Sequence, residues 1–188
     1  MKLIDIKSPA DLKGLSLAEL TDLTAQARQA LMTKVSEHGG HVGPPMGAAE
    51  MIMALHYVFN SPVDKIVYDV SHQSYVHKMV TGRALAFLDY NHYDDVTGYT
   101  DPTESEHDFF NIGHTSTSIS LASGLATARN LKGDSENIIA IIGDGSLSGG
   151  EAFEGLDYAA TLDSNMIIIV NDNDQSIAEN HGGLYRGL

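Results

Sequence analysis

Two short polar segments each follow an apolar stretch that is typical of a buried strand. Gly-Asp-Gly at 143–145 follows the stretch 137–142, and Asn-Asp-Asn at 171–173 follows the stretch 166–170. Because the carboxyl ends of parallel strands meet at one edge of a sheet, we expect the Asp144 carboxylate and an amide oxygen of the second segment to converge on one cation. Hard oxygen ligands suit Mg²⁺ better than zinc or copper.

The residues beside Asp144 indicate a phosphate next to that cation. Gly145 allows close backbone approach, and the N–H groups of Gly145, Ser146 and the helix start near Gly149 can donate to phosphate oxygens. Either tripeptide alone is as easily a tight turn with a capping side chain. Together, with 25 residues between them and each at the end of an apolar strand, they predict a Mg²⁺-diphosphate site at a topological switch point.

The elements that must position this site form a β-α-β unit, with strands at 137–142 and 166–170 and a helix at 150–162. Both strands are continuous apolar runs, which is the pattern of strands buried on both faces of a parallel sheet. A further strand is predicted at 65–70. The fold class is therefore α/β, a mostly parallel sheet with helices on both faces.

The first half of the chain is predicted to be mainly helical. A capping box of Ser16 and Glu19 begins the first helix, and Gly39 and Gly40 end it. A glycine- and proline-rich loop follows, with a long loop later at 89–108. The other predicted helices lie at 48–59, 74–81 and 116–131, the last closed by Gly133 and rich in small residues that pack within the domain or in a dimer interface.

Composition excludes several classes of function. The 188 residues contain no cysteine, which excludes disulfides, zinc-thiolate sites, iron–sulfur clusters and a cysteine nucleophile. With 11 basic and 25 acidic residues the net charge is −14, which disfavours nucleic acid and anionic lipid as partners. We see no apolar region of a signal peptide and no run long enough to span a membrane. We expect a cytoplasmic globular protein.

Several motifs in the same order resemble the 1-deoxy-D-xylulose-5-phosphate synthases, a family of transketolase-like thiamine diphosphate enzymes. The likeness extends from about Leu15 to Leu184. The segments that resemble the family are 66–75 (Ile-Val-Tyr-Asp-Val-Ser-His-Gln-Ser-Tyr), 77–83 (His-Lys-Met-Val-Thr-Gly-Arg), 104–108 (Glu-Ser-Glu-His-Asp), 113–120 (Gly-His-Thr-Ser-Thr-Ser-Ile-Ser) and 171–177 (Asn-Asp-Asn-Asp-Gln-Ser-Ile).

The resemblance implies a thiamine diphosphate-binding fold, with residues 1–188 forming an incomplete pyrophosphate-binding domain. The pyrimidine-binding and carboxyl-terminal domains of the family are absent from this sequence. The implied enzyme is a homodimeric transferase that joins pyruvate, with loss of CO₂, to glyceraldehyde 3-phosphate. Its product, 1-deoxy-D-xylulose 5-phosphate, enters isoprenoid precursor, thiamine and pyridoxal biosynthesis. The activating glutamate of the family belongs to the second domain, so we expect the chain alone to be inactive.

The resemblance also implies ligands for the cofactors, thiamine diphosphate and Mg²⁺. Asp144 and Asn173 would bind Mg²⁺ through their side chains, and Gln175 would bind it through its backbone carbonyl. Gly145, Ser146 and Asn173 would lie against the diphosphate.

Three histidines match histidines of the family: His41, His72 and His114. They would surround the reacting end of the cofactor, where an imidazole moves protons or holds oxygens, and His72 and His114 would also contact the cofactor. Structural or surface positions are expected for His38, His56, His92 and His181. No role is assigned to His77 and His107, although both lie in matching segments.

Two positions depart from the family pattern. Pro44 replaces a serine, so that the loop 41–47 is more similar to the one of transketolase, and Ser71 replaces a glycine. Both loops are expected to face cofactor or substrate. Three alternatives therefore stay open: ketol transfer between sugar phosphates, a non-catalytic Mg²⁺-diphosphate-binding subunit that needs a partner chain, and an α/β domain whose two turns have no ligand.

Overall fold

The computed structural model describes residues 1–186, the last of them without its side chain. This part of the chain divides into two compact units. The first unit contains Met1–Pro62 and Ser71–Asn111, and the second contains Val63–Val70 and the chain from Ile112 onward.

The first unit is helical, and its longest helix is α1 (Leu17–His38). The predicted capping box is confirmed: the Glu19 backbone N–H donates to Ser16 Oγ at 3.3 Å, and the Ser16 backbone N–H donates to Glu19 Oε2 at 2.8 Å. The helix ends at Gly39, whose φ of 91° is unfavourable for residues with a side chain.

The glycine- and proline-rich segment forms a short helix, α2 (Gly43–Gly47), so the loop predicted there is wrong. Its prolines occupy the first turn, where a missing N–H costs no intrahelical hydrogen bond. Pro45 is buried and Pro44 is exposed. Helix α3 (Ala49–Val58) follows and matches the predicted helix closely.

The later part of the first unit contains α4 (Tyr75–Lys78), a π-helical turn (Met79–Arg83) and α5 (Leu85–Leu88). Gly82 interrupts the helical path with a φ of 93°, and a Cβ there would lie 2.7 Å from the Lys7 carbonyl oxygen. A 3₁₀ helix (Tyr90–Asp95) begins the segment predicted as a long loop.

The second unit is built on a parallel sheet of three strands in the order β1-β2-β3. The strands are β1 (Lys65–Tyr68), β2 (Ile138–Gly143) and β3 (Ile167–Asn171), and the helices are α6 (Ser118–Lys132), α7 (Asp144–Leu147) and α8 (Gly150–Thr161). A parallel sheet flanked by helices confirms the predicted α/β class.

The two strands of the β-α-β unit differ in burial. β2 lies in the centre of the sheet and is buried from Ile138 to Ile142, as predicted. β3 pairs with β2 on one side only, and its side chains are half-buried, with Val170 45% exposed. The predicted burial of this strand on both faces is therefore wrong for the described residues, whereas β1, the other edge of the sheet, is mostly buried.

Small residues let α6 and α8 approach closely. A Cβ on Gly155 of α8 would lie 2.9 Å from Ser120 Oγ and 3.1 Å from the Ser120 backbone nitrogen. The small-residue helix thus packs inside its own unit. α6 ends at Gly133, which has the predicted left-handed conformation at a φ of 76°. Across residues 1–186, no helix has the length and apolar character needed to cross a membrane.

Candidate functional site

The two polar segments lie at the same edge of the sheet. Gly143, the last residue of β2, pairs in register with Asn171, the last residue of β3. The strands are direct neighbours, which the β-α-β pattern alone does not require. Asp144 begins α7 immediately after β2, so its backbone leaves the sheet as the first turn of a helix.

Asp144 is a buried carboxylate, only 5% exposed, without a cationic partner in the described part of the chain. Its Oδ2 accepts a hydrogen bond from the neutral amide of Asn180, and its backbone carbonyl accepts one from the Tyr185 hydroxyl at 2.6 Å. Buried charges in proteins are normally paired with an opposite charge or bound to a metal. Within the part of the chain that the structure describes, no cationic side chain balances the Asp144 carboxylate.

Asn173 and Gln175 are both exposed after the end of β3. The Gln175 backbone N–H donates to Asn173 Oδ1 at 3.1 Å, which closes a local turn and fixes the amide. An amide oxygen has two lone pairs, so Asn173 keeps one for a cation. Among residues 1–186, no three His, Asp or Glu side chains are close enough together to hold a metal; the predicted set has one carboxylate.

Gly145 and Gly149 are required by close contacts, whereas a Cβ on Gly143 would meet nothing within 4 Å. A Cβ on Gly145 would lie 2.6 Å from Ser176 Cβ, and a Cβ on Gly149 would overlap Ser116 Oγ. Ser116 Oγ also donates to the Ser146 carbonyl oxygen at 2.7 Å. These contacts fix the backbone of α7 and the residues before α8, where the predicted phosphate donors lie.

Asp69 is a positioning residue that the sequence analysis missed. Its two carboxylate oxygens accept the backbone N–H groups of Ser116 and Ser118, each at 2.9 Å, and its side chain is buried. Thr117, the residue before α6, makes no capping bond, so Asp69 caps this helix from the end of β1. The available signal is a carboxylate directly after an apolar run, but the predicted strand 65–70 includes this residue.

The backbone around these contacts is unusual. Val70 and Ser116 have φ values of 57° and 73°, in the left-handed region that side chains disfavour. Such residues persist where the surrounding contacts determine the conformation, and they cluster at functional sites. β1 is therefore two residues shorter than predicted, since the chain turns sharply after Asp69.

His41 and His72 lie together in the first unit, with their ring centroids 5.4 Å apart in an edge-to-face arrangement. The ring of Tyr99 packs against His41 at 5.3 Å, and that of Tyr75 at 6.0 Å. Burial lowers the pKa of His41 below its ordinary value, so the imidazole is neutral at pH 7.

His114 belongs to the second unit and is exposed. Its Nδ1 bonds to the carbonyl oxygen of Thr115 at 2.6 Å, which requires a proton on Nδ1. In the neutral ring Nε2 is then a free acceptor. The three predicted histidines thus divide between the units, with two in the first and one in the second.

Ser71 is fully buried rather than facing open space. Its Oγ accepts the Thr100 backbone N–H at 2.9 Å, and its φ is 70°. A positive φ explains why glycine suits this position. The serine adds a hydrogen bond in exchange for backbone strain.

A buried ionic cluster occupies another part of the first unit. Arg83 donates two hydrogen bonds to Asp108, at 2.8 and 2.9 Å, and His77 Nε2 donates to the same carboxylate at 2.7 Å. Neutral His77 therefore accepts through Nδ1, which lies 2.8 Å from His56 Nε2. Lys78 and Arg83 also bind Glu104.

The other histidines have local partners. His38 pairs with Asp94 at 2.9 Å and His92 with Asp95 at 2.7 Å, both at the surface. His107 Nδ1 lies 2.8 Å from Ser61 Oγ. His56 is fully buried, whereas His181 is exposed.

Comparison with known proteins identifies the class to which this α/β chain belongs. A family model described as 1-deoxy-D-xylulose-5-phosphate synthase matches residues 3–188. The chain belongs to the 1-deoxy-D-xylulose-5-phosphate synthase family.

Curated relatives carry the same name. The chain is 50% identical over 184 residues to 1-deoxy-D-xylulose-5-phosphate synthase of Symbiobacterium thermophilum, which covers 98% of this chain and 28% of the relative. It is 51% identical over 179 residues to the synthase of Caldanaerobacter subterraneus, and the match covers 95% of this chain and 29% of that relative. It is 47% identical over 188 residues to the synthase of a Geobacillus species, and the match covers 100% of this chain and 30% of that relative. The chain thus spans less than a third of the length of these relatives.

Proposed function

We propose that the chain forms the Mg²⁺-diphosphate-binding part of a thiamine diphosphate-dependent transferase. The enzyme joins pyruvate, with loss of CO₂, to glyceraldehyde 3-phosphate and forms 1-deoxy-D-xylulose 5-phosphate. We assign it to the cytoplasm and, in the whole protein, to a homodimer. The relatives are named for this synthase, and the chain covers 28% to 30% of their length.

The observation that supports this proposal best is the position of Asp144. A buried carboxylate without a cationic partner among the described residues stands at the end of β2, whose last residue is in register with the last residue of β3. Such a carboxylate fits a cation from solution better than it fits a structural role.

The donor set fits Mg²⁺ and a diphosphate. Asp144, the Asn173 amide oxygen and the Gln175 backbone carbonyl would hold the cation, and all three are the hard oxygen ligands that Mg²⁺ prefers. The N–H groups of Gly145 and Ser146 would donate to the diphosphate oxygens. Gly145 packs against the side chain of Ser176 and has no room for a side chain of its own.

Thiamine diphosphate, when bound, supplies an electron sink for the carbon–carbon bond chemistry. The residues of this chain bind and orient. His41 and His72 form a pair of rings beside Tyr75 and Tyr99, where they can hold ligand oxygens. We expect binding from this chain by itself and turnover only from the whole enzyme. We assign His114 a catalytic role in that turnover as well.

Calorimetric titration of the chain with thiamine diphosphate in the presence of Mg²⁺ tests the proposal. Asp144→Asn should weaken binding by more than about tenfold, or about 1.4 kcal/mol. Asp157→Asn is the matched control, since it removes the same charge from an exposed position on α8 and should leave affinity unchanged. Equal affinity of Asp144→Asn and the unmodified chain, or no Mg²⁺-dependent binding at all, would contradict the proposal.

Ketol transfer between sugar phosphates is the second candidate, favoured by the transketolase-like segment that forms α2. Assays of the whole enzyme separate the two. Synthase activity requires pyruvate, whereas ketol transfer proceeds with a ketose phosphate donor and no pyruvate. A binding subunit without activity of its own would turn over neither mixture until a partner chain is added.

A further inference from the structure

Tyr75 lies at the start of α4 and is only 4% exposed. Its ring packs against Phe87 with a centroid separation of 5.4 Å. Its hydroxyl is enclosed by two glycines: a Cβ would lie 2.8 Å from this oxygen at Gly40 and 3.4 Å from it at Gly98. The hydroxyl is therefore held in a fixed place beside His41.

Two groups of His41 meet this hydroxyl. The His41 backbone N–H donates to the Tyr75 oxygen at 3.2 Å, and His41 Nδ1 lies 3.3 Å from the same oxygen. Within residues 1–186 the Tyr75 hydroxyl makes no other hydrogen bond. The hydroxyl thus contacts His41 at both its backbone and its ring.

A count of protons decides how the ring is protonated. A phenol has one proton to donate and can also accept. If Nδ1 carried the ring proton, the Tyr75 oxygen would face two N–H donors from His41, and its own buried proton would have no acceptor. Leaving a buried donor unpaired costs about 1–3 kcal/mol. If Nδ1 is unprotonated, the hydroxyl accepts from the backbone and donates to Nδ1, and each group has a partner.

We propose that Tyr75 is a positioning residue that holds His41 in the tautomer with its proton on Nε2, so that His41 donates a hydrogen bond to a ligand oxygen. Nε2 makes no hydrogen bond in the part of the chain that the structure describes, and the residue is only half-buried. A neutral ring with its Nε2 protonated can donate there and cannot take up a proton there. The lowered pKa of His41 agrees with a neutral ring.

The identity of the ligand that accepts this hydrogen bond rests on the proposed function. The tautomer of His41 does not depend on the proposed function. The oxygen-rich ligands of a synthase, a diphosphate or a sugar phosphate, offer acceptors and no strong acid. His41 would hold such an oxygen in place rather than act as the base.

Histidine-selective ¹⁵N labelling of the 188-residue chain and long-range ¹H–¹⁵N spectra at neutral pH test the tautomer directly. The unmodified chain should show His41 Nδ1 at the shift of an unprotonated nitrogen and Nε2 at that of a protonated one. In Tyr75→Phe the two shifts should converge as the tautomers mix. Tyr99→Phe is the control, since its ring also packs against His41 but its hydroxyl makes no hydrogen bond within the described residues, and it should leave both shifts unchanged.

A protonated Nδ1 in the unmodified chain would overturn the proposal, and so would unchanged shifts in Tyr75→Phe. The first result needs no variant, so it holds even if Tyr75→Phe does not fold. Adding thiamine diphosphate with Mg²⁺ separates the two proposals: failure to bind with the Nε2–H tautomer intact contradicts the proposed function alone.

Discussion

Asp108 and Asp144 are both buried carboxylates, 3% and 5% exposed, but the charges around them differ. Asp108, in the first unit, accepts two hydrogen bonds from Arg83 and one from His77. Asp144, in the second, accepts one from the neutral amide of Asn180. Among the residues that the structure describes, Asp108 is paired with a cationic side chain, whereas Asp144 is bonded to an amide.

This difference separates a structural role from a binding role. Removing one partner of a buried ion pair leaves an uncompensated charge and costs much stability. A carboxylate that has no internal cation loses little by substitution, because the charge itself was unfavourable in the apo protein. Substitution of Asp108 should therefore lower the stability of the fold. Substitution of Asp144 should instead weaken cation binding and leave the stability nearly unchanged.

The largest effect is expected at Asp108. Asp108→Asn leaves Arg83 without its two charged hydrogen bonds and should lower the free energy of unfolding by about 3–5 kcal/mol, measured by urea denaturation. Asp94→Asn is the control, since that carboxylate pairs with His38 at the surface with 92% of its side chain exposed, and should cost about 0–1 kcal/mol. Similar losses in the free energy of unfolding for both variants would contradict a structural role of the buried ion pair.

A lower pH should destabilise the buried cluster that contains His56, His77 and Asp108. Burial lowers the pKa of His77 to about 4, against the hydrogen bond to Asp108 that raises it, and burial also lowers the pKa of His56. The unfolded chain, with an ordinary pKa of about 6.5, then binds more protons than the folded chain, so stability is lost as pH falls from about 6.5 to about 4.

Asp108 adds a second loss at lower pH. Burial disfavours its charge, but the hydrogen bonds from His77 and Arg83 outweigh this and hold the pKa of Asp108 below its ordinary value. Its stabilisation is present above about pH 3.8 and is lost as pH falls further. Urea denaturation across a pH series should show both losses. Flat stability between pH 6.5 and 4 would contradict the assignment of neutral, buried histidines.

A smaller effect is expected at Asp144. Asp144→Asn keeps an oxygen that can accept from Asn180 and removes a buried charge, so the free energy of unfolding should change by less than about 1 kcal/mol. The measurement is urea denaturation without divalent cations, next to Asp108→Asn under the same conditions. A loss as large as that of Asp108→Asn would assign Asp144 a structural role.

The smallest effect concerns a buried polar group without charge. Ser71→Gly relieves a φ of 70° but removes the acceptor of the Thr100 N–H, and each change is worth about 1 kcal/mol in opposite directions. Ser71→Ala loses the acceptor and keeps the strain, so it should be about 1 kcal/mol less stable than Ser71→Gly. Thermal unfolding of the two variants gives the difference in their stability. Equal stability would contradict backbone strain at position 71.

Local patterns predicted much of this fold. The capping box at Ser16 and Glu19, the glycine that closes α6 and the apolar runs of β1 to β3 are encoded within a few residues of each other. The position of the segments 143–145 and 171–173 at one edge of the sheet followed from the parallel strands alone, but the direct pairing of their strands did not. The assignment of each as a metal ligand is still a prediction.

What local patterns did not predict depends on distant contacts. His77 and Asp108 are 31 residues apart, and the chain around Gly82 must turn before they can meet. Asp69 caps a helix that begins 49 residues later at Ser118. The edge position of β3 follows from the order of strands, which its own apolar residues do not reveal.

Within the described sheet, β3 is a half-exposed edge strand, and we expect this to affect association between molecules. An apolar strand with one unpaired side is a template for association between molecules, and a net charge of −14 supplies the repulsion that opposes it. That repulsion vanishes near the isoelectric point of about 4.8, inside the pH range over which we expect protonation of the buried histidines to cost stability. We therefore expect precipitation and unfolding in the same pH range. Dilution distinguishes them, because precipitation depends on protein concentration and unfolding does not.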